Sequence, residues 1–306
     1  MNKIWDSHNH WMPPQVAENT TFFKVHWSDS DVLLKTLDGA GVEKAVLLYP
    51  TSDAHLNMGG WSKVCSVYNQ AIADKVKEYP SRFIGAGILP VDQPSAMVAE
   101  VGRIKELGLS ALSLGSSYDG KFLDDEMFLP VFEKAEKYNL PIFVHAQVIN
   151  PIGFERVKDP LLMPVLEYVF DVTMCAGKLM MSEIYTKFPS LKFIFAHFAG
   201  VMPFVADRFD ATYSMLRMRN SVKDLGQAPT QILKNLFVDT SGTKSKPQLE
   251  MALEFFGPER IIWGSDFPAK RDLDKSIETV NALTIDEKSK QAILTENIQS
   301  IFNQGA

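Results

Sequence analysis

Short apolar runs recur along the chain and are separated by stretches with helical periodicity. The runs are brief and mostly lack polar alternation, which is typical of strands buried on both faces of a sheet. Eight runs fit this description, at residues 3–8, 42–49, 82–90, 109–114, 141–146, 191–197, 236–241 and 260–266. The pattern predicts eight strands of the parallel kind.

The stretches between these runs predict the helices that connect parallel strands. They include residues 30–41, 67–80, 97–108, 129–139, 180–189 and 247–257. Several stop at glycine or just before proline, as the carboxyl ends of helices do. Strands and helices that alternate in this way favour an α/β fold, the (β/α)8 TIM barrel, because eight tilted strands can close on themselves. We predict one catalytic domain over residues 1–306, with a doubly wound open sheet as the structural alternative.

Composition and charge narrow the class of protein. The 306 residues are 46% hydrophobic and 22% charged, and the formal net charge is −6. Because the charges are scattered and form no basic stripe, nucleic acid is not expected as a partner. No apolar run approaches the length of a membrane span, so we expect no membrane association and a cytoplasmic location. Cys65 and Cys175 form no CxxC motif, and we expect both to be small buried side chains.

Histidine and aspartate residues collect at the ends of the predicted strands. His8 and His10 end the first, His145 the fifth, His197 the sixth and Asp266 the eighth. In a closed barrel these ends surround one mouth, where the active sites of such barrels lie. Imidazole nitrogen and carboxylate oxygen bind Zn²⁺ and similar divalent ions. The sequence therefore predicts a metal site, in which Asp266 is either a further ligand or a base.

Three segments near that mouth are expected to determine which substrate the barrel binds. Residues 11–31, 50–62 and 147–175 follow predicted strands one, two and five, and the last two are longer than a simple connection requires. Extra length after a barrel strand falls on the carboxyl-terminal face.

Several longer motifs resemble one known family. They are DSHNHWMPP at the start, YPSRFIGAGILP at 79–90, LPVFEKAEKYNLPIFVHA at 129–146, YTKFPSLKFIFAHFAGVMPFVADRFD at 185–210 and IIWGSDFP at 261–268. With these motifs the chain resembles the amidohydrolase superfamily, in the branch of aminocarboxymuconate semialdehyde decarboxylase and the hydroxybenzoate decarboxylases. The likeness extends over nearly the whole sequence.

The resemblance implies a ligand set and a role for each member. One divalent ion, most commonly Zn²⁺ and in some relatives Mn²⁺, would be held by His8, His10, His145 and Asp266. His197 would lie beside the ion and act as acid or base. No lysine follows the fourth predicted strand, so the bridging carboxylated lysine of two-metal relatives is not expected. Some decarboxylases of this branch carry glutamate where this chain has His8.

The expected reaction is non-oxidative decarboxylation of a small aromatic or unsaturated carboxylic acid. A proton from Asp266 or His197 would add to the carbon that loses CO₂. A carboxylate substrate needs a nearby cation, for which Arg208 is the candidate, with Arg217 and Arg219 behind it. Residues expected to line the pocket through their ring faces are Trp11, His55, Trp61 and Phe267. The resemblance also implies a homodimer.

Other functions use the same or different residues. A hydrolase, such as a lactonase or amidase, or a hydratase would keep the metal site and use a metal-bound hydroxide. A binding protein without activity is disfavoured because every matching ligand position is filled. A nucleophile mechanism lacks the GxSxG turn, and a dinucleotide-binding fold lacks GxGxxG after the first strand.

Overall fold

The computed structural model describes residues 3–23, 25–157 and 159–303, and its centre is a barrel of eight parallel strands. In chain order the strands are β1 (Ile4–His10), β2 (Val42–Leu48), β3 (Phe83–Gly87), β4 (Ala111–Gly115), β5 (Ser117–Tyr118), β6 (Lys121–Phe122), β7 (Ile142–His145), β8 (Phe193–Phe195), β9 (Phe237–Asp239) and β10 (Ile261–Ile262). The short pair β5 and β6 forms a separate antiparallel hairpin. The other eight are adjacent in the order β1-β2-β3-β4-β7-β8-β9-β10.

The barrel closes between its first and last strands. Ser7 N donates a hydrogen bond to Trp263 O at 3.1 Å, and Asp266 N donates to His8 O at 2.8 Å. Asn9 and Phe267 form a parallel bridge beyond β10. Because the first and last strands meet, the (β/α)8 TIM barrel is confirmed and the open doubly wound sheet is wrong. The predicted domain limits at residues 1 and 306 lie outside the described residues.

Helices and helical turns cover the outside of the barrel. The α-helices are α1 (Pro14–Ala17), α2 (Ser30–Gly39), α3 (Ala54–Met58), α4 (Trp61–Glu78), α5 (Pro94–Glu106), α6 (Leu129–Lys137), α7 (Phe154–Val157), α8 (Tyr168–Met181), α9 (Ile184–Lys187), α10 (Met202–Met218), α11 (Pro229–Leu233), α12 (Lys246–Phe256), α13 (Leu273–Asn281), α14 (Glu287–Gln291) and α15 (Asn297–Phe302). Two π-helical turns, Met163–Glu167 and Ala292–Glu296, precede α8 and α15. No helix within the described residues is long and apolar enough to cross a membrane.

The strands are apolar on both faces because each face is buried in a different layer. The inner layer contains Val46, Leu48, Ala86, Ala111, Phe143, Ile194, Phe237 and Ile262. Neighbouring strand residues such as Leu47, Val144 and Phe195 belong to the larger layer beneath the helices. Apolar side chains on both faces remove the polar alternation of a strand with one wet face. Cys65 and Cys175 are both free and buried, as expected.

Three segments differ from the predicted elements. The predicted helix at 180–189 is interrupted, because Glu183 adopts a left-handed conformation with φ 63° between α8 and α9. The segment 147–175 is not one long loop, since its second half is helical and enters α8. Residues 54–58 of the second long segment form α3. Helical structure thus reaches further towards the mouth than the sequence indicated.

Candidate metal centre

Strand β1 carries two histidines on one side of the barrel mouth. Side chains two residues apart on a strand point to the same face, so His8 and His10 face inwards together. Both are buried, with 0% and 2% of their surface exposed. Their Nε2 atoms lie 3.0 Å apart. This short distance places two imidazole nitrogens where one ion can contact both.

Closure of the barrel brings Asp266 to the same place. The buried Asp6 carboxylate accepts hydrogen bonds from Ser265 N at 2.8 Å and from the Ser265 hydroxyl at 2.6 Å. A Cβ atom on Gly264 would lie 2.6 Å from the His8 Cβ, so only glycine permits this approach. Asp266 Oδ1 then lies 3.6 Å from His8 Nε2 and 3.5 Å from His10 Nε2.

Hydrogen bonds on the outer ring nitrogens orient the three buried imidazoles. His8 Nδ1 bonds to Asp239 Oδ2 at 2.9 Å, His10 Nδ1 to Leu48 O at 3.0 Å, and His145 Nδ1 to Ala146 O at 2.8 Å. Since each partner is an acceptor, each Nδ1 donates its proton and Nε2 is the nitrogen left for the cluster. The rings of His8, His10 and His145 are therefore oriented so that their Nε2 atoms could bind a metal ion.

The chemistry of these donors fits a divalent ion. The ligand atoms offered by His8, His10, His145 and Asp266 all lie within 4.8 Å of one another, and the four residues are buried. Three imidazole nitrogens and one carboxylate oxygen are ligands that Zn²⁺ and related ions accept. The group can hold a metal ion.

His197 lies beside this group and not within it. Its ring centroid is 5.9 Å from that of His8 and 6.2 Å from that of His145, and the side chain is half-buried. The residue follows β8 in a left-handed conformation with φ 54°, shared by Phe198 and Ala199. Its backbone nitrogen donates to Ser241 Oγ at 2.9 Å. The unusual backbone turns the His197 ring towards the mouth, a conformation that costs free energy in non-glycine residues.

Burial and neighbouring charges shift the pKa values of the cluster in different directions. Burial lowers the pKa of His145 well below its usual range and that of His197 to about 4. For His8, burial opposes the charged form, but the Asp239 carboxylate outweighs it and raises the pKa to about 9. For Asp266, burial is outweighed by the His10 hydrogen bond and the charge of His8, so its pKa is held below the usual range.

Four residues near the centre were not anticipated from the sequence. Asp239 and Ser241 support His8 and the backbone of His197. Lys270 Nζ lies 3.9 Å from Asp266 Oδ2, and the Trp27 ring centroid is 5.6 Å from that of His10. A signal existed for Asp239, because it is a carboxylate at the end of the seventh predicted strand. Lys270 follows Asp266 by one helical turn of sequence and carried no comparable signal.

The four predicted pocket residues have other partners. Trp11 Nε1 donates to Ser28 O at 3.1 Å. His55 stacks on Trp61 with 4.4 Å between ring centroids. The Phe267 side chain is buried in the core, and its backbone oxygen accepts from His10 N at 2.8 Å. Their contact with substrate stays a prediction.

The predicted arginines lie on α10 and its end. Arg208 is exposed and lines a cavity of about 320 Å³ between α8 and α10, with Phe209 and Met181. Arg217 Nη2 pairs with Asp224 Oδ2 at 3.0 Å, and Arg219 follows the last turn of the helix. None of the cluster side chains lines that cavity. A role for Arg208 in substrate binding stays a prediction.

A second, larger cavity opens at the other end of the barrel. It has a volume of about 1030 Å³ and is lined by residues that precede strands, among them Pro141, Leu191 and Arg260. It contains no side chain of the histidine cluster. Perturbed titratable groups and side chains that could hold a metal ion meet at the cluster and not at this cavity.

Comparisons with known proteins give relatives of similar sequence. The chain is 28% identical over 251 residues to 2-amino-3-carboxymuconate-6-semialdehyde decarboxylase of Dictyostelium discoideum, covering 78% of this chain and 67% of the relative. It is 25% identical over 285 residues to gamma-resorcylate decarboxylase of Polaromonas sp., covering 89% and 86%.

Solved structures show the same fold at lower identity. The 5-carboxyvanillate decarboxylase of Sphingomonas paucimobilis superposes with a TM-score of 0.86 at 21% identity, over 99% of both chains. A dihydroxybenzoic acid decarboxylase of Polaromonas sp. JS666, solved with manganese and the inhibitor 2-nitroresorcinol, has a TM-score of 0.83 at 20% identity, over 99% of this chain and 97% of that one. The sequence profile of the amidohydrolase family matches residues 5–303. Since this match spans nearly the whole chain, the protein belongs to the amidohydrolase family.

Proposed function

We propose that this protein is a metal-dependent decarboxylase that removes a carboxyl group, without oxidation, from a small aromatic or unsaturated acid. The observation that carries the proposal is the buried group His8, His10, His145 and Asp266, with its ligand atoms within 4.8 Å at the barrel mouth. Two relatives that align over most of this chain are named as decarboxylases of such acids. A buried ligand group and an adjacent titratable side chain are what a metal-assisted acid–base reaction requires.

The proposed cofactor is one divalent ion, Zn²⁺ by the chemistry of its ligands and Mn²⁺ as the alternative. Three imidazoles and one carboxylate suit zinc. The manganese in the dihydroxybenzoic acid decarboxylase supports the alternative. When bound, such an ion draws electron density from a substrate oxygen. Elemental analysis of the protein as isolated separates the two ions.

Asp266 is the proposed carrier of the proton that replaces CO₂. Its pKa is held below the usual range, so the free carboxylate is ionised near neutral pH. It must therefore take a proton from a substrate hydroxyl group or from solvent before it can deliver one. The proton then adds to the ring carbon that bears the carboxylate. The carbon–carbon bond breaks, its electron pair stays with the product, and CO₂ leaves.

His197 is the proposed hydrogen-bond donor to the substrate. With a pKa of about 4 the imidazole is neutral near pH 7, and a neutral imidazole retains one N–H. Its backbone is fixed by Ser241, which also bonds to the His8 ring at 3.2 Å. A donor held in this way stabilises negative charge that develops on a substrate oxygen.

The reaction product in D₂O tests this assignment against the hydrolase or hydratase alternative. Neither alternative is favoured by the named decarboxylase relatives. Decarboxylation leaves one deuterium at the carbon that lost CO₂ and adds no solvent oxygen. A product that carries solvent oxygen and retains its carboxyl group would contradict the proposal.

We also propose a homodimer that buries an apolar stripe, which begins at the π-helical turn before α8 and continues on α8. The stripe consists of Leu162, Leu166, Phe170 and Met174, which are four residues apart and 38–44% exposed. Contiguous exposed apolar surface is typical of protein interfaces. Light scattering should give twice the chain mass of 34.3 kDa, and Leu166→Lys should reduce it to one chain. A wild-type mass of one chain would contradict the dimer. The cytoplasmic location stays a prediction.

A further inference from the structure

The cation nearest to the metal centre lies on the segment that follows the last strand. Lys270 Nζ is 3.9 Å from Asp266 Oδ2. Among the Lys and Arg residues that the structure describes, no other has its charged group within 4 Å of a carboxylate of the four-residue centre. Arg208, the cation that the sequence favoured, is on the exposed side of α10. Lys270 therefore supplies positive charge directly beside Asp266.

The Lys270 ammonium has a hydrogen-bond partner in addition to its ion pair with Asp266. It donates a hydrogen bond to Ser241 O at 2.6 Å. Gly242 lets the stem pass close by, because a Cβ there would lie 3.2 Å from the Lys270 Cδ and 2.2 Å from Ser265 O. An ammonium group has three donors and no acceptor. One donor is used by Ser241, and within the described residues the ammonium makes no other hydrogen bond, so its remaining donors can bind a ligand in the mouth.

Burial separates Lys270 from the ligand group below it. The side chain of Lys270 is 45% exposed, whereas that of Asp266 is 10% exposed. The carboxylate that faces Lys270 is that of Asp266. A bound metal ion would contact the same carboxylate and share its negative charge with Lys270. The Lys270 ammonium is exposed and the ligand group is buried. This arrangement suits a substrate that contacts the ligand group with one end and carries an anionic group at the mouth.

We propose that Lys270 is the residue that selects anionic substrates, by binding a substrate carboxylate at the mouth of the barrel. The inference rests on the proposed function for its ligand class, an aromatic carboxylate. It assigns the recognition of charge to the segment after β10, next to the residue that carries the proton. An ammonium–carboxylate hydrogen bond is stronger than a neutral one, so its loss should weaken anion binding about tenfold or more.

The test compares charged and uncharged ligands on the manganese-loaded protein by calorimetry. The acids are benzoate, phthalate and 2,6-dihydroxybenzoate, and the uncharged partners are benzamide and resorcinol. The variants are Lys270→Gln, Lys270→Arg as the conservative exchange, and Lys275→Gln as a control. Lys275 is a good control because it lies near in sequence, is 67% exposed and faces Asp272 at 3.9 Å.

We expect Lys270→Gln to lose about tenfold affinity for the acids, with unchanged affinity for the uncharged ligands and unchanged manganese content. Lys270→Arg should retain most of the binding, and Lys275→Gln all of it. The proposal is overturned if wild type binds no acid better than the uncharged partners. Equal losses for both ligand classes, loss of manganese, or an equal effect of Lys275→Gln would also overturn it.

The outcome separates this inference from the proposed reaction. Selective loss of acid binding in a protein that releases no CO₂ would support the role of Lys270 and contradict decarboxylation. CO₂ release that Lys270→Gln leaves unchanged in both KM and kcat would support decarboxylation and contradict the role of Lys270.

Discussion

At the scale of single residues, Asp239 connects the ligand group to His197, the proposed hydrogen-bond donor to the substrate. Its Oδ2 accepts from His8 Nδ1 at 2.9 Å, and Oδ1 accepts from Ser241 N at 2.8 Å. Ser241 in turn accepts from the backbone of His197. Partners behind a ligating histidine fix its ring and raise its basicity. One buried carboxylate thus orients His8 and the backbone before His197.

Asp239→Asn should lower metal affinity about 10- to 100-fold, because the amide keeps the shape and loses the charge behind His8. Competition against a coloured chelator measures this constant. Asp272→Asn, at an exposed carboxylate paired with Lys244, is the control and should leave affinity unchanged. Equal affinities of wild type and Asp239→Asn would show that Asp239 does not support the site.

Metal binding should release about one proton at pH 7.5. In the metal-free protein, the pKa of His8 is raised to about 9, so its ring is protonated at that pH. The pKa values of His10 and His145 are lowered, so these rings are neutral, and Asp266 is ionised. Affinity should rise with pH until His8 loses its proton near pH 9.

Calorimetry in two buffers of different ionisation enthalpy counts this proton. The Asp239→Asn variant should release less, because it lacks the carboxylate that holds the proton on His8. An affinity that stays constant between pH 6.5 and 9 would contradict a protonated His8.

The sequence predicted a common location for the side chains that lie at the ends of strands. His8, His10 and His145 lie in strands, and their placement followed from where apolar runs stop. His197 and Asp266 lie beyond their strands, at left-handed residues with φ 54° and 59°. Periodicity carries no information about such a backbone, so neither ring orientation nor the separation from the ligand group could be derived. Lys270 depends on the same turn.

At the scale of elements, Asp171 connects α8 to the barrel. Its carboxylate accepts from Ser117 Oγ at 2.9 Å and from Ile152 N at 2.9 Å, and also from Ser116 Oγ. Ser116 N donates to His145 O at 2.8 Å. The buried carboxylate therefore joins α8, the hairpin after β4 and the segment that follows His145.

Asp171→Asn should reduce the free energy of unfolding by about 1–3 kcal/mol, because it replaces an acceptor of buried hydroxyl groups with a donor. Urea denaturation of the metal-free protein measures the change. Asp124→Asn is the control, since Asp124 pairs with Lys178 at 3.0 Å near the surface, and should cost less than about 1 kcal/mol. Equal losses in the two variants would contradict the connecting role of Asp171.

Element boundaries show which physical signals the sequence carries. The eight barrel strands matched because burial on both faces leaves unbroken apolar runs. The predicted strand 260–266 shortened to Ile261–Ile262, since its last residues turn to place Asp266. The helical turn Met163–Glu167 was missed because its exposed apolar residues obscure the usual amphipathic pattern. Local sequence patterns predicted the strands of the barrel, whereas tertiary contacts determine the backbone conformation at its mouth.

At the scale of the whole molecule, the ligand group spans the seam of the barrel. Its members come from β1, from β7 and from the segment after β10. An ion held there links the two ends of the closed sheet. Because a ligand that binds only the folded state stabilises it, metal binding should oppose unfolding of the entire barrel.

His8→Ala combined with His10→Ala should remove the ion and leave the barrel folded. Metal at about 100 times its Kd should stabilise wild type by about 2.7 kcal/mol, and this increment should vanish in the double variant. Thermal denaturation with and without added Mn²⁺, together with elemental analysis, measures both effects. A double variant that retains stoichiometric metal would show that these residues are not ligands.

The most direct test of the central claim is CO₂ release from hydroxybenzoates, carboxylated pyrimidines and muconate-type acids, measured with zinc-loaded, manganese-loaded and chelator-treated protein. Our account predicts CO₂ from at least one acid with the loaded protein, no release after chelation, and recovery when the ion is restored. Metal-loaded protein that releases no CO₂ from any of these acids, or release that survives chelation, would contradict a metal-dependent decarboxylase.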